Sequence, residues 1–173
     1  MIFLSINPNN YNKPIKMIEN NLTKSKKNRN KTRKNKIITP IKLLNESIKS
    51  GKHIFILIYM EGCGPCMSTR PEWAKIKNVL DEKYKNKYNN ILVVDIDHTL
   101  LSHVRAQLNP AGFPTMLCVS QKGKHIQQYE DSDVSEKDRR VDSFVEWVEG
   151  SIKKYRSSMR GGFKYSRKHR RTA

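Results

Sequence analysis

His53-Ile54-Phe55-Ile56-Leu57-Ile58-Tyr59-Met60-Glu61-Gly62-Cys63-Gly64-Pro65-Cys66 decides how the rest of this 173-residue chain is read. From His53 to Tyr59 the stretch is almost continuously apolar, the pattern of a strand covered on both faces. A helical pattern follows the second cysteine. Two thiols with two residues between them can close a small disulfide ring and reopen it. A helix starting beneath them favours the first thiol as thiolate, because unpaired backbone N–H groups and the helix dipole stabilise negative charge there. That layout is a reversible redox switch, and it makes an enzyme the leading expectation.

Working outward, the apolar residues predict further elements. Thr39-Pro40 is a helix start, with a capping hydroxyl and a first-turn proline. Ile41, Leu44 and Ile48 then share one side, and Gly51 ends the element. Ile37-Ile38 is a short first strand, and Pro14 to Leu22 a short amphipathic helix with Ile15, Ile18 and Leu22 on one face. A helix runs from about Pro65 to Tyr84, kinked at Pro71. Ile91 to Ile96 is a second covered strand, and Thr99 to Leu108 a helix. Thr115–Ser120 and His125–Tyr129 form a hairpin around Lys122-Gly123, and Asp131 to Asp138 is a polar loop. A last helix carries Val141, Phe144, Val145, Val148 and Ile152 on one face. The order β-α-β-α-β-α-β-β-α implies parallel strands joined by helices, with a late antiparallel pair.

Charge divides the chain differently. The net charge is +18, but residues 1–50 carry +10, residues 51–150 carry −1 and residues 151–173 carry +9. We therefore expect a basic, largely disordered N-terminal arm over 1–36, a folded domain over 37–155 and a basic tail over 156–173. Lys24 to Lys36 has too little apolar surface to fold alone. Such arms suit an acidic partner, nucleic acid or another polyanion such as an anionic membrane surface. The cluster Ser166 to Arg171 also fits nuclear import, or a tail that only solubilises. No helix-turn-helix pattern or zinc-finger spacing points to base-specific readout.

Three cysteines do not make a disulfide scaffold. The opening Met1 to Ile6 lacks the basic start and the length of a secretory signal, and no run reaches membrane-spanning length. The first 36 residues are too poor in Arg and Ser for a good mitochondrial transit peptide. Asn-x-Ser/Thr triplets are expected by chance in so Asn-rich a chain.

Residues 37 to 155 resemble the thioredoxin and protein disulfide isomerase superfamily. The resemblance rests on ordered features: the strand ending Tyr59-Met60-Glu61, the Cys63-Gly64-Pro65-Cys66 motif and Pro71 eight residues after the first cysteine. Val94-Asp95-Ile96-Asp97 and Gly112-Phe113-Pro114-Thr115 follow, and an amphipathic helix closes the domain. It implies an α/β thioredoxin fold, a central mixed sheet of four to five strands flanked by helices. It implies Cys63 as the nucleophile that forms a mixed disulfide and Cys66 as the thiol that resolves it, with Gly64 and Pro65 as the active-site turn. Pro114 is then in the cis form facing the cysteines, and Phe113, Pro114, Gly62 and Tyr59 meet the substrate. No cofactor is expected beyond the Cys63–Cys66 disulfide, and no metal. The expected partners are protein disulfides or dithiols and an upstream electron donor or acceptor, met by a cytoplasmic monomer. The CGPC turn is of the sort found in reducing thioredoxins, for which the potential is about −270 mV, and this domain is expected towards that end.

The chain also departs from the family. The buried Asp usual six positions before the first cysteine is Leu57, and its usual Lys partner aligns with Val93. Losing both leaves no orphan charge, but removes the usual group for handling the Cys66 proton. Gly62 and Tyr59 stand where the family often has Trp, so the rim is expected to be open.

Other chemistries fit the sequence less well. Asp95-Ile96-Asp97-His98-Thr99 matches the DxDxT opening of haloacid-dehalogenase-type phosphatases, but no later acidic pair completes a magnesium site. Cys63 and Cys66 would need two more ligands to hold zinc. Cys118, within Met116-Leu117-Cys118-Val119, is expected to be a core thiol. Asp131 to Ser135 lacks the glycine and terminal Glu of a calcium loop. The alternative function is a non-catalytic binding or structural protein on the same scaffold, whose basic arms contact nucleic acid or another polyanion. The Asn-, Lys- and Ile-rich composition resembles that of large DNA viruses, so the nucleus or a virion are alternative locations.

Overall fold

The computed structural model describes residues 1–18, 35–84 and 90–166. Seven strands and three helices appear in the order β1 (Ile2–Ile6), β2 (Ile15–Ile18), β3 (Asn35–Ile38), α1 (Pro40–Lys49), β4 (His53–Tyr59), α2 (Gly64–Tyr84), β5 (Ile91–Asp97), β6 (Thr115–Ser120), β7 (His125–Gln128) and α3 (Val141–Ser166). The main sheet has the order β1-β5-β4-β6-β7. β1, β5 and β4 run parallel, while β6 is antiparallel to β4 and β7 to β6. β2 and β3 form a separate antiparallel ribbon.

β4 sits centrally and all seven of its residues are buried, which is why its sequence lacks polar alternation. Ile54, Ile56 and Ile58 pack with Leu92, Val94 and Ile96 under α1. Phe55 and Leu57 pack on the other face with Trp73 and Ile76 of α2 and Phe144, Trp147 and Val148 of α3. Trp147 anchors that side, edge-on to Phe55 at 5.1 Å and to Tyr129 at 5.2 Å. α1 begins as its sequence predicts: Thr39 Oγ1 accepts the Lys42 N–H, Pro40 follows, and Gly51 takes φ +77° just past the end.

Four expectations need correcting. The main sheet's outer strand is Ile2–Ile6, within the arm expected to be largely disordered, and not Ile37-Ile38. Ile2 and Leu4 lean on the α1-side core, Met1 and Phe3 on the other. This period-2 pattern on two faces lets β1 cap the exposed edge of β5. Pro14 to Leu22 is not a helix over its described part: Ile15–Ile18 is a strand registered on Asn35–Ile38. Nine residues are too few for a helix to stand alone, whereas the ribbon satisfies the same backbone groups between two strands. Residues 19–34, with most of the Lys24–Lys36 run, lie outside the described residues.

Thr99 to Leu108 holds only a 3-10 stretch over His98–His103. The Asn45 side chain takes the backbone groups a helix would have paired, donating to the His103 carbonyl at 2.8 Å and accepting the Arg105 N–H at 2.7 Å. Beyond it Val104, Ala106 and Leu108 are buried at alternate positions, a strand-like spacing. Finally, α3 continues to Ser166, past the boundary expected at residue 155. Gly161 and Gly162 weaken a helix without forbidding it. Residues 167–173 lie outside the described residues.

Candidate active site

β4 delivers the chain to the redox motif. Gly62 turns it with φ +77°, a left-handed conformation that glycine adopts without steric cost. A Cβ there would meet nothing within 4 Å, so the rim over the cysteines is open at this point. Cys63 then occupies the N-cap of α2: its carbonyl accepts the Met67 N–H at 3.0 Å. Its sulfur takes the place of a capping oxygen, accepting the Cys66 N–H at 3.2 Å. Gly64 and Pro65 fill the first two helical positions, where Pro65 lacks an N–H that the helix would leave unpaired.

Cys63 and Cys66 are joined as a disulfide, with Cα atoms 5.2 Å apart. Their exposures differ. Cys63 is half-buried and Cys66 only 1 % exposed, so an incoming sulfur reaches Cys63 first. When the bond is open, the Cys66 amide and the positive end of the α2 dipole face the Cys63 sulfur and favour its thiolate. The carbonyl of Phe113 lies 3.7 Å from that sulfur, the Phe113–Pro114 peptide bond is cis, and Pro114 is buried. Thr115 Oγ1 donates to the Gly112 carbonyl at 2.6 Å and ties this loop to the start of β6.

Tyr59 does not line the site. It is fully buried, and the Arg70 guanidinium covers its ring at 3.7 Å. The same burial pushes its hydroxyl pKa up to about 12. The rim holds residues that the sequence reading did not single out. Met60 and Met67, 37 % and 68 % exposed, flank the cysteine pair. His98 stacks at a tilt on Phe113 at 5.1 Å, with its Nδ1 3.5 Å from Asp97.

Leu57 and Val93 are both buried within the α2–α3 core, so no charged pair stands in their place. Instead Asp95, the register partner of Leu57 on the next strand, carries a partly buried carboxylate. It accepts a 2.8 Å hydrogen bond from Ser5 Oγ and lies 3.9 Å from Arg70, one helical turn after Cys66. Burial raises its pKa; Ser5 and Arg70 oppose the shift. Asp97 caps the 3-10 stretch, accepting from the Thr99 N–H at 2.9 Å and hydroxyl at 2.6 Å. The DxDxT match is thus a strand end and a cap. Among the described residues no group of His, Cys, Asp and Glu could hold a metal ion. Cys118 is buried and unbonded, its thiol pKa pushed up to about 12 by desolvation.

The thioredoxin family model matches residues 36–146. That match spans the cysteine motif, the Phe113–Pro114 loop and the first six residues of α3. The chain belongs to the thioredoxin family. Solved structures similar in fold to this thioredoxin-family protein include human ERp44 in its zinc-bound form, at 14% identity over 62% of this chain and 27% of that one, with TM-score 0.49. Another is the first thioredoxin domain of mouse protein disulfide-isomerase A4, at 21% identity over 61% of this chain and 67% of that one, with TM-score 0.44. A third is the J-Trx1 fragment of ERdj5, at 15% identity over 63% of this chain and 47% of that one, with TM-score 0.46. The chain therefore spans about half of the ERdj5 fragment and about a quarter of ERp44. No curated protein sequence matches it.

Proposed function

We propose that this protein is a thiol–disulfide oxidoreductase acting on protein disulfides through Cys63 and Cys66. The observation that carries the reading is the unequal exposure of two bonded cysteines at the start of a helix, the outer one capped by the inner one's amide. In the reducing direction the Cys63 thiolate attacks one sulfur of the substrate disulfide. The substrate S–S bond breaks, its second sulfur leaves as a thiolate and takes up a proton, and a mixed disulfide remains. The Cys66 thiol gives up its proton and attacks Cys63. The mixed disulfide breaks, the second substrate thiol leaves, and Cys63–Cys66 is restored. Two electrons and two protons have passed to the substrate. Run backwards, the same steps oxidise a dithiol.

Exposed Met60 and Met67 support a polypeptide substrate, since flexible thioether side chains adapt to varied apolar surfaces. The half-buried Phe113 offers its backbone beside Cys63 for an extended segment to pair with. The test is reduction of insulin disulfides by dithiothreitol in the presence of the full chain. Wild type should accelerate it, and Cys63→Ser should lower the rate to background.

One observation favours a second reading, a binding protein on the same scaffold. The site lacks the usual buried acid, since Leu57 and Val93 are apolar and closely packed. Wild-type inactivity together with salt-sensitive polyanion binding would select it.

A further inference from the structure

A second surface lies across the sheet from α2 and α3, and it does not involve either active-site cysteine. α1 and the chain after β5 run alongside one another and leave an open groove lined by Lys42, Asn45, Glu46, Lys49, His103 and Arg105, with the buried Ile41 at its floor. Asn45 sets its geometry by holding the backbones of His103 and Arg105 against the helix. Tyr11, partly buried against the core, backs His103. Its ring stacks on His103, centroids 5.4 Å apart and planes 29° apart, and its carbonyl accepts the Ile41 N–H at 3.3 Å, which ties it to α1.

Three permanent cations therefore share this groove with one carboxylate, Glu46. The opposite face is built differently. There Lys77 pairs with Asp81, Lys83 with Glu149, Arg139 with Glu130 and Arg140 with Asp138. Gathering like charge along a concave seam costs self-repulsion, which a bound anion relieves.

We propose that this groove binds single-stranded nucleic acid. Lys42, Lys49 and Arg105 follow the phosphates, and the Tyr11–His103 stack offers a ring face to an unpaired base, the combination that single strands use and a closed duplex cannot. An anionic membrane fits less well. Surface-binding elements insert apolar side chains, and none of the most exposed large hydrophobics among the described residues, Met60, Met67 and Ile126, lines the groove. The groove's residues lie outside the lysine-rich stretch 24–36 and the tail after residue 155.

The test uses the full chain and a fluorescein-labelled oligothymidylate. Lys42→Gln/Lys49→Gln/Arg105→Gln is compared with Lys77→Gln/Arg140→Gln/Lys154→Gln, which removes the same charge from the other face. The groove variant should bind about tenfold more weakly near 0.1 M salt, and its log–log salt slope should flatten by about 2, or ~0.7 for each lost phosphate contact. The other variant should stay within about twofold of wild type on both measures. Tyr11→Ala should weaken binding about fivefold at unchanged slope, because stacking releases no counterions. In wild type, a bromodeoxyuridine strand should photo-crosslink to Tyr11 or His103. Equal losses in the two triple variants, or crosslinks confined to residues 19–34 and 155–173, would overturn the proposal in favour of the arms. Groove-dependent binding to phosphatidylserine vesicles without oligonucleotide binding would overturn it in favour of a membrane.

Discussion

Cys63 and Cys118 are the same side chain in opposite surroundings. Cys63 lies half-buried at a helix N-terminus, where backbone amides stabilise a thiolate. Cys118 lies in the core, where burial holds its thiol near a pKa of about 12. After reduction, iodoacetamide at pH 8 should label Cys63 within minutes and leave Cys118 unlabelled until the protein is denatured; mass spectrometry of tryptic peptides reads the difference. Asp95 provides a second residue-scale prediction. Its folded pKa is raised above the unfolded value. Its contribution to stability is therefore fully present below the ordinary carboxylate range, near pH 4, and is lost as pH rises through the folded pKa. Urea unfolding of Asp95→Asn, which does not ionise, should show wild type losing stability relative to the variant as pH rises above about 4. A difference that stays flat with pH would mean that the carboxylate is not desolvated as described. The motif residues were legible in the sequence because their spacing is covalent. The surroundings of Arg70, Asp95 and His98 were not, since only the paired strands bring Asp95 beside Leu57 and only the 3-10 turn brings His98 onto Phe113.

At the scale of elements, the sequence revealed those whose burial pattern matches their geometry. β4 and β5 show as apolar runs because both faces are covered, and α1 shows through its Thr39-Pro40 start. β1 escaped notice because it is half-exposed and follows no turn; its pairing with β5 depends on an edge that the local sequence does not describe. Ile15 and Ile18 suit one face of a helix in isolation, yet Ile15 and Met17 also alternate as a strand, and the partner at Asn35–Ile38 decides between them. The missing charged pair is an element-scale feature too, since Leu57 and Val93 lie on adjacent strands facing α2 and α3. Leu57→Asp alone should destabilise the fold by about 3 kcal/mol or more, because it buries a carboxylate with no counter-charge. Adding Val93→Lys should recover part of that loss in urea midpoints. If the single variant unfolds at the wild-type midpoint, the packing around Leu57 is looser than described.

For the whole molecule, the thioredoxin fold explains why two sulfur atoms and one carbonyl meet at one end of the sheet. Parallel β4 ends at the cysteine turn, and antiparallel β6 begins beside it, so the Phe113–Pro114 loop must face the start of α2. The near-neutral middle of the chain was legible from composition. The groove on its α1 side was not, because its cations come from segments more than 50 residues apart in sequence. The central claim is that Cys63 exchanges disulfides with a polypeptide and Cys66 completes the exchange. Full-length Cys66→Ala, reduced and then incubated with oxidised protein substrate, tests it most directly by intact-mass and peptide mass spectrometry under non-reducing conditions. The account predicts stable mixed disulfides on Cys63, released by dithiothreitol and absent from Cys63→Ser/Cys66→Ala. Recovery of only unmodified protein, or of adducts on Cys118 instead, would contradict it.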